Sequence, residues 1–283
     1  MIDELVPATP LDDEDGEPIW SFAEGAPMPG SFRAWERLAV GVRCETWLVW
    51  SPRLWGPAVL KLPRPHQVGN PRAARSLARE VAALGDNPHP VLPRLYEDGI
   101  GEEIPYAALE YVDGPTLADE IDETGPLGAA DVALLGIQVL SGLRALHQHG
   151  VAHVDVKPEN IVLRDGRPIL IDFGSARQIG AKQPAGRPVG TQGYAPPEME
   201  ACEPITPRMD VYALGVTLRE ALTGSRTAAL PPTLDGMADV ISRLCETDPS
   251  SRPTTEGALA LLGATLDEDE RPWPGWVRPY SGR

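Results

Sequence analysis

Lysine is almost missing from this chain: of 25 basic residues only Lys61, Lys157 and Lys182 are lysines, and the rest are arginine. Asparagine and phenylalanine occur three times each. Cys44, Cys202 and Cys245 are too few and too scattered for a disulfide framework or a zinc site, which fits a reducing, cytoplasmic compartment. No run is expected to reach the ~18 apolar residues of a membrane span, so a transmembrane receptor form is not expected. The acidic start is unlike a signal peptide. Positive charge is also short, with 41 acidic residues and a net charge of -16. That balance argues against nucleic acid or anionic lipid as the main partner. Internal repeats are absent.

What is present suffices for one large domain or a two-lobed unit: 283 residues, 42% of them hydrophobic. Met1 to about Gly30 is acidic and Pro-rich and has no basic residue. It is expected to be a disordered or draped extension, with Trp20 and Phe22 as possible anchors. From Ser31 the pattern changes. Trp35 to Leu38, Thr46 to Trp50 and Ala58 to Leu62 alternate like strands. Pro71 to Gly85 reads as a helix, with Pro early and Gly at the end. Pro93 to Tyr96 and Tyr106 to Leu109 read as two more strands. Helical patterns follow at Thr116 to Thr124, Ala129 to His149, Val211 to Leu222, Leu234 to Cys245 and Thr254 to Leu266. Asp267 to Arg283 is a tail with Trp273, Trp276 and Tyr280 among prolines.

The most informative stretch is His153-Val154-Asp155-Val156-Lys157-Pro158-Glu159-Asn160. It leads into Ile161-Val162-Leu163, a turn at Asp165-Gly166, and Ile169-Leu170-Ile171, which ends in Asp172-Phe173-Gly174. This pattern predicts a hairpin that brings polar groups to one edge. Asp155 can accept a proton. Asn160 and Asp172 offer hard oxygens of the kind Mg2+ takes. Lys157 puts a compact charge where a transferring phosphoryl group would be negative. Each residue alone reads as part of a solvated turn. Together, in this order and spacing, they resemble the catalytic loop and the metal-binding loop of protein kinases. Scarcity sharpens the match, because Lys61, Lys157, Asn160 and Phe173 are rare residue types at chemically demanding positions.

The resemblance covers about Ser31 to Leu266 and is to the bacterial Ser/Thr protein kinases of the eukaryotic type. It implies an α+β, bilobal fold, with a small β-rich N-lobe at about 31–109 and a hinge at 110–114. A larger helical C-lobe follows at 115–266, with ATP between the lobes. The negative net charge does not oppose ATP, whose charge is met locally by Mg2+ and a few cations. On this resemblance Leu38, Ala39, Val40, Gly41, Val42, Arg43, Cys44, Glu45 and Thr46 line the nucleotide at the glycine-rich loop. Only Gly41 of the three family glycines is present, which restricts the backbone. Lys61, held by Glu80, would orient the α- and β-phosphates. Backbone groups of Glu110 and Val112 would meet the adenine edge, with Leu109 behind. Asp155 would act on a substrate hydroxyl, Lys157 would stabilise the γ-phosphoryl charge, and Asn160 and Asp172 would hold Mg2+.

Gly190-Thr191-Gln192-Gly193-Tyr194-Ala195-Pro196-Pro197-Glu198 resembles the peptide-positioning segment, with Pro196 where the family's motif has Ala. Glu198 and Arg252 match a structural pair, and Asp210 matches a buried brace under the catalytic loop. His153 is expected to pack under Phe173, and His147 and His149 to suit a helix C-terminus. Thr223 to Gly236 is short, so the substrate-docking helix of the family is expected to be reduced or absent. Lys157 two places after Asp155 points to Ser or Thr as acceptor in a protein substrate. The residue before the catalytic Asp, which in many kinases is an Arg that grips a phosphorylated activation loop, is Val154, and Ala176 to Gly190 has no Ser, Thr or Tyr. Activity independent of loop phosphorylation is therefore expected. Two other readings stay open: a nucleotide-binding scaffold without activity, and a small-molecule phosphotransferase of the same fold. The acidic extension suggests a basic partner.

Overall fold

The first departure from expectation is at the acidic N-terminal stretch. Ala8–Asp12 (β1) and Pro18–Ser21 (β2) form an antiparallel hairpin. Ile19 and Trp20 are buried, and Phe22 packs against the same cluster as Trp20, Phe32, Trp47 and Leu60. Charge and proline content suggested an extension without regular structure, but three large apolar side chains in four residues bury enough surface to tie it down. Each such burial contributes about 1.5–3 kcal/mol. This computed structural model describes residues 8–266 apart from 14–15, 86, 184, 187 and 232–234. The expected C-terminal tail with Trp273, Trp276 and Tyr280 lies outside the described residues.

The chain divides into two compact units. One takes the residues up to Pro88 together with Pro93–Tyr111; the other takes His89–Leu92 and the residues from Val112 on. In the first unit, Arg33–Val40 (β3), Cys44–Ser51 (β4) and Gly56–Pro63 (β5) follow the alternation in the sequence. With Leu95–Asp98 (β6) and Ala107–Glu110 (β7) they make an antiparallel sheet in the order β3-β4-β5-β7-β6. Pro71–Leu84 (α1) has the expected Pro71 at its first helical position, and Asn70 caps it by accepting the Arg72 N–H at 2.9 Å. Its buried face is Ala73, Leu77, Glu80, Ala83 and Leu84, so one carboxylate is carried into an apolar surface.

The second unit is helical. Leu117–Thr124 (α2) opens with a capping box between Thr116 and Asp119. Ala129–Gln148 (α3) is, contrary to the sequence expectation, long and apolar enough to cross a membrane, with a mean hydropathy of 1.4. Much of that apolar surface faces protein: Val132, Leu135, Val139, Leu140, Leu143 and Leu146 have no exposed surface. It is a core helix that packs on the helices Pro207–Thr223 and Thr255–Gly263 described next. Short strands Val151–Ala152 (β8), Ile161–Arg164 (β9), Arg167–Leu170 (β10) and Arg177–Gln178 (β11) pair as β9 with β10 and β8 with β11. Pro197–Glu200 (α4), Pro207–Thr223 (α5), Asp235–Leu244 (α6) and Thr255–Gly263 (α7) complete the unit. Among the described residues between α5 and α6 there is no helix, as the short Thr223 to Gly236 stretch suggested.

Candidate active site

In the first unit Lys61 lies on β5, in register with Thr46 on β4 and Ala107 on β7. Its Nζ meets Glu80 Oε1 of α1 at 2.7 Å, with both side chains largely enclosed. A nearly dry ion pair of this kind fixes an ammonium on the sheet at a defined point. The tight β3–β4 turn at Gly41 to Arg43 is closed by the Gly41 N–H donating to the Cys44 carbonyl at 2.9 Å. Leu38, Ala39, Val40, Gly41, Val42 and Arg43 are exposed, and Cys44 and Thr46 are half-buried.

Glu45 is the exception among the expected nucleotide contacts. It has no exposed surface, and its carboxylate accepts the Trp20 N–H at 2.8 Å and the Trp47 indole N–H at 3.1 Å. Burial pushes its carboxyl above the usual range, against those hydrogen bonds and the charges of Arg37 and Arg64. The strand alternation turns this side chain toward the N-terminal hairpin, so it is a structural carboxylate. Glu110 ends β7, and its N–H donates to the Arg94 carbonyl at 2.8 Å. Val112 is half-buried at the start of the second unit's main segment.

In the second unit the residues expected to form the catalytic loop converge. Asn160 donates from Nδ2 to the Asp155 carbonyl at 2.8 Å and to Asp155 Oδ2 at 3.3 Å. Its own carbonyl accepts the N–H of Ile171, the residue before Asp172, at 2.8 Å. The β9–β10 hairpin thus brings the Asp155 and Asp172 segments together, with Asn160 between them. Donation from Nδ2 leaves Oδ1 as the end of the Asn160 amide that can face a cation. Asp172 is exposed, has a left-handed backbone (φ 63°), and accepts the Gly174 N–H at 3.3 Å. One amide oxygen and one exposed carboxylate suit Mg2+ delivered with phosphates, since that ion usually takes few protein ligands. Among the described residues no group of three or more His, Cys, Asp or Glu could hold a metal by itself. Lys157 is half-buried, just ahead of the single helical turn Pro158–Asn160.

Three contacts here were not legible from sequence. Thr191 donates its hydroxyl to Asp155 Oδ1 at 2.6 Å. Gly190, at φ +83°, lies so close to the Val154 carbonyl that a Cβ would sit 2.6 Å from it. His147 contacts Asp210 Oδ2 through Nε2 at 2.7 Å and Thr255 through Nδ1 at 3.0 Å, a role beyond a helix-dipole partner. The expected stacking is present, with His153 edge-on to Phe173 at 4.8 Å. Arg252 meets Glu198 at 2.7 and 3.3 Å, buried as the structural pair should be.

The protein kinase domain family matches residues 58–235, which is more than half of the chain. The chain belongs to the protein kinase family. Its curated relatives are named serine/threonine-protein kinases. The probable kinase PkwA of Thermomonospora curvata is 30% identical over 264 residues, 87% of this chain and 35% of its own length. PknB of Mycolicibacterium smegmatis is 32% identical over 198 residues, 67% of this chain and 32% of its own length. This kinase chain therefore spans about a third of the length of those relatives. The crystal structure of the Mycobacterium tuberculosis PknI kinase domain superposes with a TM-score of 0.68 at 25% identity, covering 87% of this chain and all of that one. The five-stranded sheet and the helical unit are thus the two lobes of a protein kinase fold.

Proposed function

We propose that this kinase transfers the γ-phosphoryl group of Mg-ATP to Ser or Thr hydroxyls of a protein substrate. The observation that carries the reading is the setting of Asp155. One carboxylate oxygen accepts a threonine hydroxyl and the other an amide N–H, so the group is oriented to receive a hydroxyl proton. Mg2+, when bound with the nucleotide, would neutralise charge building on the phosphates. Asn160 Oδ1 and the Asp172 carboxylate would hold it. Lys61, kept in place by Glu80, would orient the α- and β-phosphates. Lys157 would meet the γ-phosphoryl charge. Because the Glu110 N–H is engaged by Arg94, the backbone donor to adenine would come from Val112.

A second reading concerns control. Val154 stands where many kinases carry an arginine that grips a phosphorylated loop, and it is buried with Ala152, Met199, Ile205 and Met209, against Ile179, Ala181, Val189 and Ala195. Apolar packing holds the segment that a phosphate would otherwise hold, so the kinase is active without loop phosphorylation. The acidic charge of the N-terminal stretch would attract a basic partner or substrate.

The test is to incubate purified protein with Mg-ATP labelled on the γ-phosphate, with a generic basic protein acceptor, and to hydrolyse the product for phosphoamino acids. Phosphoserine or phosphothreonine is expected. Nucleotide binding without transfer would favour an inactive scaffold. Transfer confined to small molecules would favour the other phosphotransferase reading.

A further inference from the structure

Arg64 directly follows β5 and is only 5% exposed, which is unusual for arginine. Its guanidinium reaches two parts of the chain. Toward the hairpin, Nη2 donates to Asp13 Oδ2 at 2.6 Å and to the Glu17 carbonyl at 2.9 Å, and Nε donates to the Pro18 carbonyl at 3.2 Å. Toward the β3–β4 turn, Nη1 donates to the Gly41 carbonyl at 3.5 Å. The main-chain N–H of Arg64 also donates to the Arg43 carbonyl at 2.9 Å. A parallel tie runs through Glu45, just past that turn, whose carboxylate takes the Trp20 N–H, while the Trp20 indole donates to the Pro63 carbonyl at 2.7 Å. The turn has little packing of its own, since Val42 at its tip is 80% exposed.

We propose that Arg64 is a positioning residue for the phosphate loop, and that the N-terminal β1–β2 hairpin is the strut from which it acts. The inference rests on the proposed nucleotide reading, in which the β3–β4 turn covers the phosphates. A planar guanidinium can bond the hairpin and the turn at once because its donors point along fixed directions. A lysine ammonium cannot span both sets of acceptors. The turn is held from its outer side in one conformation, so less order has to be imposed when nucleotide binds. Asp13 acts on the turn through its 2.6 Å bond to Arg64.

The experiment uses the full chain with Arg64→Lys, Arg64→Ala and Asp13→Ala. Affinities for ATP and for adenosine are measured by competition against a fluorescent nucleotide, alongside steady-state kinetics and thermal melting. Asp13 is near the surface, so its variant remains informative even if Arg64→Ala fails to fold. Arg64→Lys and Asp13→Ala should weaken ATP affinity about 3- to 10-fold, the net scale of one ordinary hydrogen bond. Adenosine affinity and kcat at saturating ATP should stay within about twofold, with the loss appearing in KM for ATP. Folded variants with parental ATP affinity would overturn the proposal. So would equal losses for adenosine and ATP, or a fall in kcat at unchanged KM, which mark general damage. A parent that binds no ATP would overturn the nucleotide reading beneath it.

Discussion

Asp210 is the residue on which the backbone of the catalytic loop depends. Fully buried at the start of α5, it accepts the His153 N–H at 2.9 Å and the Val154 N–H at 2.7 Å, and it contacts His147. Val154 has φ 58°, a left-handed conformation that β-branched residues avoid, so these bonds hold a strained residue beside Asp155. Asp210→Ala should cost about 3–5 kcal/mol in chemical denaturation, because it leaves buried donors without an acceptor. Burial pushes the Asp210 carboxyl up, but the hydrogen bond and charge of His147, the charge of His153 and the Val154 N–H outweigh it. Its pKa therefore lies below the ordinary 3.8. A depressed folded-state pKa stabilises above the unfolded value and loses that stabilisation as pH falls. Melting temperatures should show the parent's advantage over Asp210→Asn shrinking below pH 3.8, and an advantage that grows there would contradict the assignment. Lys61→Arg is expected to abolish most activity despite keeping the charge. The planar guanidinium does not fit the compact 2.7 Å contact with Glu80, and recovery of parental turnover would make Lys61 an ordinary strand residue.

At the scale of elements, the proposal is that the segment from β11 to α4 needs no phosphate to hold it. The β8–β11 pairing, the Val154 cluster, the Gly190 approach and the Thr191 hydrogen bond all bear on it. Treatment with a broad phosphatase should leave the initial rate unchanged, and a large loss restored by phosphorylation at Ser175 or Thr191 would contradict this. Gly190→Ala should lower kcat about 10- to 100-fold with KM for ATP little changed, since the added methyl would push Thr191 off Asp155. Elements whose stability is written in local pattern were legible in the sequence: β3 to β5 from alternation, α1 from its early Pro and closing Gly, β9–β10 from its turn. The β1–β2 hairpin was not, because its partners are distant in the chain. Trp20 bonds Glu45 25 residues away and Pro63 43 away. Glu45 follows the same logic, since its family position puts it at the loop and only the hairpin explains the burial of its side chain. Thr191 on Asp155 likewise joins residues 36 apart, which no local periodicity encodes.

For the whole molecule, the net charge of -16 acts on association. A basic peptide acceptor should be captured faster than a neutral one, with kcat/KM falling about tenfold as salt rises from about 0.05 to 0.3 M, whereas a neutral peptide should show little change. Equal salt dependence for both peptides would remove any steering role. The fold class could be read early because two short, ordered motifs of scarce residue types mark the family. The ties that set their geometry could not, because they are tertiary. The central claim is that Asp155 receives the acceptor's proton, and Asp155→Asn tests it most directly. Transfer of labelled phosphate should fall about 10²- to 10⁴-fold, while ATP affinity and melting temperature stay near the parent's. A folded Asp155→Asn protein that binds ATP and retains near-parental turnover would contradict the account.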